Sequence, residues 1–251
     1  MNRTKIKKMK KILLAFVAIS IGAVSLFAQD MVDLTEYDDL RVMLMDEDYE
    51  KLVKKATAIT EKDKRKKEPM PYLFTSMAYY EMSKDEKFAE DFPKAFDLAL
   101  KYAAKYRTKD KGSDYVDSNQ DFIDDIRSGA MEVGENYAEE EKWSKSKRYY
   151  KYITKFDPMD PGAWLMRGYT EMKGNDRSGA KISIEKFAKL GVDEFDSYSN
   201  DQQRLVKYAL ITYSEHLYQN GMSDSSSTVI SMGEEHFPED KEFKMALEDF
   251  K

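Results

Sequence analysis

The sequence predicts an all-α chain built from a repeated helical hairpin, on three observations. Glycine and proline are scarce, 11 and 6 in 251 residues, so few points along the chain break a helix. No long stretch alternates apolar and polar residues, whereas apolar residues recur three and four apart, the spacing of one helix face. Side chains of matching size also recur at an interval of about 34 residues.

The first segment stands outside the repeat. Arg3, Lys5, Lys7, Lys8, Lys10 and Lys11 precede an apolar run from Ile12 to Phe27, which ends in Ala28-Gln29. A basic start, a short apolar core and a small residue at its end describe a secretory signal peptide over 1–28, cleaved near Ala28. The run has 16 residues, fewer than the roughly 20 of a membrane-spanning helix. An uncleaved N-terminal anchor is the alternative, and Leu26, large for its place before the cut, leaves the exact bond open. Residues 1–28 hold six of the 41 basic residues and none of the 47 acids, so cleavage moves the formal net charge from −6 to −12. Such an acidic surface repels phosphate backbones, which argues against nucleic acid, and it argues against docking on anionic lipid. With no second apolar run, the expectation is an exported protein, periplasmic or outer-membrane-associated, with no membrane insertion after cleavage. Cysteine is absent, which excludes a lipobox, disulfides and thiolate metal sites.

The remaining chain, 29–251, divides into units. The clearest pair starts at Arg127. Counting it as position 1, Gly134 is position 8, Tyr137 is 11, Ser146 is 20, Tyr150 is 24, Ile153 is 27 and Pro158 is 32. The next unit starts at Pro161, with Trp164 at 4, Gly168 at 8, Ala180 at 20, Ile184 at 24 and Phe187 at 27. Small residues at 8 and 20 let two helices approach closely, large residues at 24 and 27 fill the space between hairpins, and a late proline stops the second helix. Units 127–160 and 161–194 are therefore adjacent and in phase. Unit 69–110 carries Tyr72, Ser76, Ala78 and Tyr79, then an insertion, then Ala95, Ala99 and Tyr102. Unit 207–240 carries Leu210, Ser214, Leu217, Gly221, Ser226, Ile230 and Pro238. A degenerate unit, 33–66, places Leu52, Ala56 and Ile59 on one helix face. After Pro238, Asp240 can cap a last helix with Phe243, Leu247 and Phe250 on one face, suited to cover the final apolar surface. The stretch 192–206 is an insertion that bends the array or forms a partner loop, and the basic run Lys62–Lys67 is a solvated loop.

These residues resemble the tetratricopeptide repeat (TPR) family, whose pattern places Trp, Leu-Gly, Tyr, Ala, Phe and Pro at those offsets. The resemblance covers most of the chain and implies a right-handed α-solenoid of about four to five TPR-like helix hairpins with a C-terminal capping helix. Two positions depart from it: Arg167 stands where position 7 is usually Leu, and Gly233 where position 27 is usually large.

Motifs for chemistry are few. Neither histidine, His216 nor His236, belongs to a metal or catalytic motif; His236 falls at the end of a second helix, where a cation meets the helix dipole favourably. Ser144 and Lys147 form an SxxK without its companion motifs. Asp117, Asn119 and Asp121 begin like a calcium loop, but Phe122 and Ser128 occupy its obligatory Gly and Glu positions, so an acidic helix N-terminus is the expectation. No catalytic residue, metal site or cofactor is assigned.

Function then rests on binding. In the TPR family, first-helix positions 2, 5, 9, 12 and 13 line the concave face. Carried onto this sequence, they are Leu73, Met77, Tyr80 and Glu81; Met131, Glu135 and Glu139; Leu165, Tyr169, Met172 and Lys173; and Ile211, Glu215, Tyr218 and Gln219. Adaptable Met and Tyr beside carboxylates suit a partner segment with apolar anchors and basic residues. The expectation is a non-catalytic scaffold or adaptor of the Gram-negative envelope, in a secretion, motility or envelope-assembly complex. The alternatives are a periplasmic small-ligand or glycan-binding protein using the groove, and an enzyme with an unfamiliar site.

Overall fold

A computed structural model describes residues 37–110 and 119–251. The signal-peptide segment 1–28, the start of unit 33–66 and Asp117 lie outside the described residues. Every regular element among the described residues is helical, as expected: α1 (Asp38–Met45), α2 (Tyr49–Thr60), α3 (Met70–Lys84), α4 (Ala95–Lys109), α5 (Gln120–Glu139), α6 (Trp143–Phe156), α7 (Pro161–Lys173), α8 (Arg177–Leu190), α9 (Asn200–Gln219), α10 (Ser223–Ser231) and α11 (Lys241–Phe250), with 3-10 turns at Glu86–Phe88 and Phe195–Ser197. No described helix is long and apolar enough to cross a membrane. The chain divides into two compact units, with the boundary between Ile123 and Asp124.

In the first unit α2 packs on both α1 and α3, and α3 pairs with α4. Leu40, Leu52, Ala56, Leu73, Ala99, Leu100 and Ala103 are wholly buried. Ser76, fully buried, donates from Oγ to the Ala99 carbonyl at 2.7 Å, which holds α3 against α4. In the Lys62–Lys67 loop, Arg65 donates to Glu68 at 2.8 Å and Tyr37 donates to the same carboxylate at 2.7 Å.

In the second unit α7 contacts α6, α8 and α9, and α9 contacts α10 and α11. The small residues at positions 8 and 20 meet as expected. Ser146 Oγ donates to the Gly134 carbonyl and Ser226 Oγ to the Ser214 carbonyl, each at 2.8 Å. Of the aromatics at repeat positions 4, 11, 24 and 27, Tyr150 and Phe187 are buried, whereas Tyr137 and Trp164 are only half-buried; the Trp164 indole donates to the Pro158 carbonyl at 2.9 Å.

One turn recurs. Glu47, Glu141, Asn175 and Gly221 all have positive φ, at 58°, 55°, 63° and 75°, and each stands two residues before the second helix of a hairpin. The following amide reaches back five residues in every case: Asp48 to Met43, Lys142 to Tyr137, Asp176 to Glu171 and Met222 to Leu217. This closure satisfies carbonyls at the end of the first helix and reverses the chain tightly. Helices α7, α11 and α9 start on side-chain caps: Asp160 accepts from the Ala163 amide at 2.8 Å, Asp240 from Phe243 at 2.9 Å, and Ser199 and Gln202 form a reciprocal capping box.

Both departures from the repeat pattern have a physical reason. A Cβ on Gly233 would lie 2.5 Å from Phe243 Cζ, so the ring of the capping helix fills the space a large side chain would take. Arg167 donates to Glu171 at 2.9 Å and to Thr154 at 3.1 Å, tying α7 to α6.

Two expectations are corrected. The stretch 192–206 is not a free insertion: Val192 and Phe195 are buried, and α9 begins inside it, at Asn200. His236 is not at a helix end but five residues past α10, where its ring stacks on Phe195 with centroids 4.6 Å apart.

Candidate functional site

Five of the sequence-assigned surface residues meet at one place in the second unit. Glu135 and Glu139 from α5, Tyr169 from α7, and Ile211 and Glu215 from α9 line a cavity of about 540 Å³. Glu135, Tyr169 and Glu215 occupy position 9 of three successive units. Ala138, Trp143, Arg204, Lys207, Tyr208, Thr212 and Glu242 complete the lining, and sequence reasoning missed all of them.

The walls are aromatic. Trp143 and Tyr169 meet edge to face with centroids 5.8 Å apart, and Tyr169 meets His216 in the same way at 5.5 Å. Lys173, at the rim, sets its ammonium 4.9 Å from the Trp143 ring centre. Burial and the nearby Lys173 hold the His216 imidazole below its ordinary pKa. Burial and Glu135 push the Tyr208 phenol up to about 12, so it stays neutral.

Charge is uneven across the cavity. Lys207 is engaged by Asp240 at 2.9 Å and Glu242 at 2.8 Å. Arg204 reaches Glu135 only at 3.7 Å. Burial raises the Glu135 carboxyl pKa, Arg204 opposes this, and Glu139 and Glu132 add to the rise. Glu139 and Glu215 remain exposed, and Gln219 donates to Glu215 at 2.9 Å.

The other assigned residues lie elsewhere. Leu73, Met77, Met131 and Leu165 are buried, which gives them to packing rather than to a surface. In the first unit Tyr80 packs against Phe96 and Phe122, with centroids 6.3 and 5.8 Å away, and Glu81 pairs with Lys84 at 2.6 Å. Met172 is half-buried. Tyr218 is 49% exposed, with its ring 5.7 Å from Phe250. Of the other motifs, Lys147 pairs with Asp176 at 3.2 Å, and Asn119 and Asp121 flank the first residue of α5.

No family model, no curated protein and no solved structure matches this chain.

Proposed function

We propose that this chain is a non-catalytic interaction module of the bacterial envelope, a TPR-like α-solenoid that holds a segment of a partner protein in the cavity of its second unit. The observation that carries this is the convergence of Glu135, Tyr169 and Glu215, position 9 of three successive repeats, on one cavity. The recurring left-handed turn and the paired small residues at positions 8 and 20 support the solenoid. Trp143, Tyr169 and Tyr208 offer rigid contact area of the kind that carries binding energy, and the surplus of carboxylates favours a basic partner. The basic and apolar pattern of residues 1–28 supports export. Secretion, motility and envelope assembly are the processes in which such a module would act.

One observation favours a second reading. The cavity volume falls in the roughly 300–1,000 Å³ range of small-molecule pockets, which suits a periplasmic protein for a small ligand or glycan.

The test is photocrosslinking in intact cells, with benzoylphenylalanine replacing Ile211 in the cavity or Ile182, which is 61% exposed on α8. A discrete protein adduct from position 211 and none from 182 supports the partner reading. Adducts from 182 alone move binding to another face. No adduct from either, together with a melting temperature raised by a sugar or amine ligand, favours the second reading.

A further inference from the structure

We infer that this cavity contains a subsite for a basic side chain of the partner, an alkylguanidinium such as arginine, anchored by Glu135, and that Arg204 holds its place in the free protein. The inference rests on the partner reading and adds the chemistry of the group that is recognised.

Glu135 is the centre of the argument. Its Oε1 is buried and has no hydrogen-bond partner. Its other contact, with Arg204, is 3.7 Å long, beyond hydrogen-bond reach. A buried carboxylate oxygen left in this state is costly unless a donor arrives.

A second orphan lies beside it. Tyr150 is wholly buried and its hydroxyl has no partner. A Cβ on Gly134 would lie 3.1 Å from Tyr150 Cζ, so the tip of the ring lies against α5 one residue before Glu135. The hydroxyl is in electrostatic reach of Tyr208, Glu135, Arg204 and Tyr169, and burial holds its proton firmly. All four of these neighbours line the cavity. An incoming cation with N–H groups can donate to the orphaned Glu135 oxygen, which an anionic group could not, and its positive charge meets the carboxylates of Glu135, Glu139 and Glu215 as a neutral group would not.

The surroundings select the same chemistry. Tyr169 and Tyr208 line the cavity and can meet a cation that is losing its water, a favourable contact, as Trp143 already does for Lys173. Glu139 and Glu215 stand at the rim, and Lys207 is already neutralised by Asp240 and Glu242. Arg204 is 47% exposed at its side chain and makes no hydrogen bond among the described residues. It can swing into solvent with little loss of packing. A guanidinium already sits at the mouth of the subsite, and a partner's guanidinium can come closer than 3.7 Å because its stem is not tied to α9.

The probe is the peptide acetyl-Leu-Ser-Arg-Ser-Leu-amide, with a second copy carrying citrulline in place of arginine. Citrulline keeps the shape and loses the charge. Each is titrated into the full chain and followed by tryptophan fluorescence, since Trp143 lines the cavity. The expected result is saturable binding of the arginine peptide and at least tenfold weaker binding of the citrulline peptide. Glu135→Gln should lose a similar factor with circular dichroism unchanged, and Arg204→Gln should bind the arginine peptide several-fold more tightly. Glu139→Gln, exposed at the rim, should have a smaller effect and serves if Glu135→Gln fails to fold. Equal affinity for the two peptides, no binding of the arginine peptide, or weaker binding by Arg204→Gln overturns the subsite. Spermidine binding as tightly as the peptide overturns the assignment to a partner side chain. The partner reading itself stands or falls on the crosslinks at position 211.

Discussion

The guanidinium of Arg127 is wholly buried and lies 2.6 Å from the carboxylate of Asp157, joining α5 to the turn between α6 and α7. It also reaches Asp124 at 2.6 Å and the Ser199 hydroxyl at 3.1 Å, and its Nε lies 3.6 Å from Asp160 Oδ2. Gln202 donates to Asp157 at 3.0 Å, so one side chain gathers α5, the α6–α7 turn and the start of α9. Removing it leaves the buried Asp160 and the partly buried Asp124 and Asp157 without their cation. Arg127→Met should therefore destabilise the fold by about 3–5 kcal/mol, read as a lowered midpoint in urea. A midpoint like the parent's would mean that the cluster is open to water.

Three carboxylates share that guanidinium, and the Oδ2 of Asp160 accepts no hydrogen bond among the described residues. Burial, reinforced by Asp157 and opposed by Arg127, pushes its pKa up to about 7. The sign follows from linkage. The folded state holds a proton that the unfolded chain releases in the ordinary carboxylate range, so this group's contribution to stability falls as pH rises from about 4 to about 7, then stays flat. Asp160→Asn keeps an N-cap for α7 and removes the titration. It should melt a few degrees above the parent at pH 8, with the difference shrinking towards pH 5. A variant that melts lower at pH 8 would show that an ionised Asp160 stabilises Arg127.

A close approach in the same region predicts a steric effect. A Cβ on Gly162 would lie 2.7 Å from Leu205 C and 2.7 Å from Val206 N. Both are backbone atoms of α9 and cannot turn aside. Gly162→Ala should cost about 1–3 kcal/mol through displacement of α7 from α9. Calorimetry of the purified variant checks this, and an unchanged melting temperature would contradict the packing described.

The helical class was legible because glycine and proline are scarce and apolar residues recur three and four apart, and the close helix pairs were legible from small residues at positions 8 and 20, since Ser146 meets Gly134 and Ser226 meets Ser214. The cavity was legible only in part. The TPR resemblance supplied position 9, and Glu135, Tyr169 and Glu215 line the cavity, but Met77 at the same position and Leu73, Met131 and Leu165 at position 5 are buried in packing. Arg204 was missed because the start of α9 was read as an insertion; the Ser199–Gln202 capping box was the signal for its start. Lys207 and Tyr208 open unit 207–240, and Tyr208, at position 2, was not among the residues assigned to the concave face. Trp143 opens a second helix, outside the positions that face a groove. The burial of Arg127 could not be read at all, since apart from Asp124 its partners Asp157, Asp160 and Ser199 come from far along the chain.

The most direct test of the central claim compares affinity with stability in one residue. Tyr169 lines the cavity and makes its ring contacts with Trp143 and His216 at the cavity wall. With the protein captured by crosslinking at position 211 as the ligand, Tyr169→Ala should weaken binding at least tenfold in a titration while lowering the melting temperature only slightly. Unchanged affinity with the fold intact would contradict the claim that this cavity holds the partner.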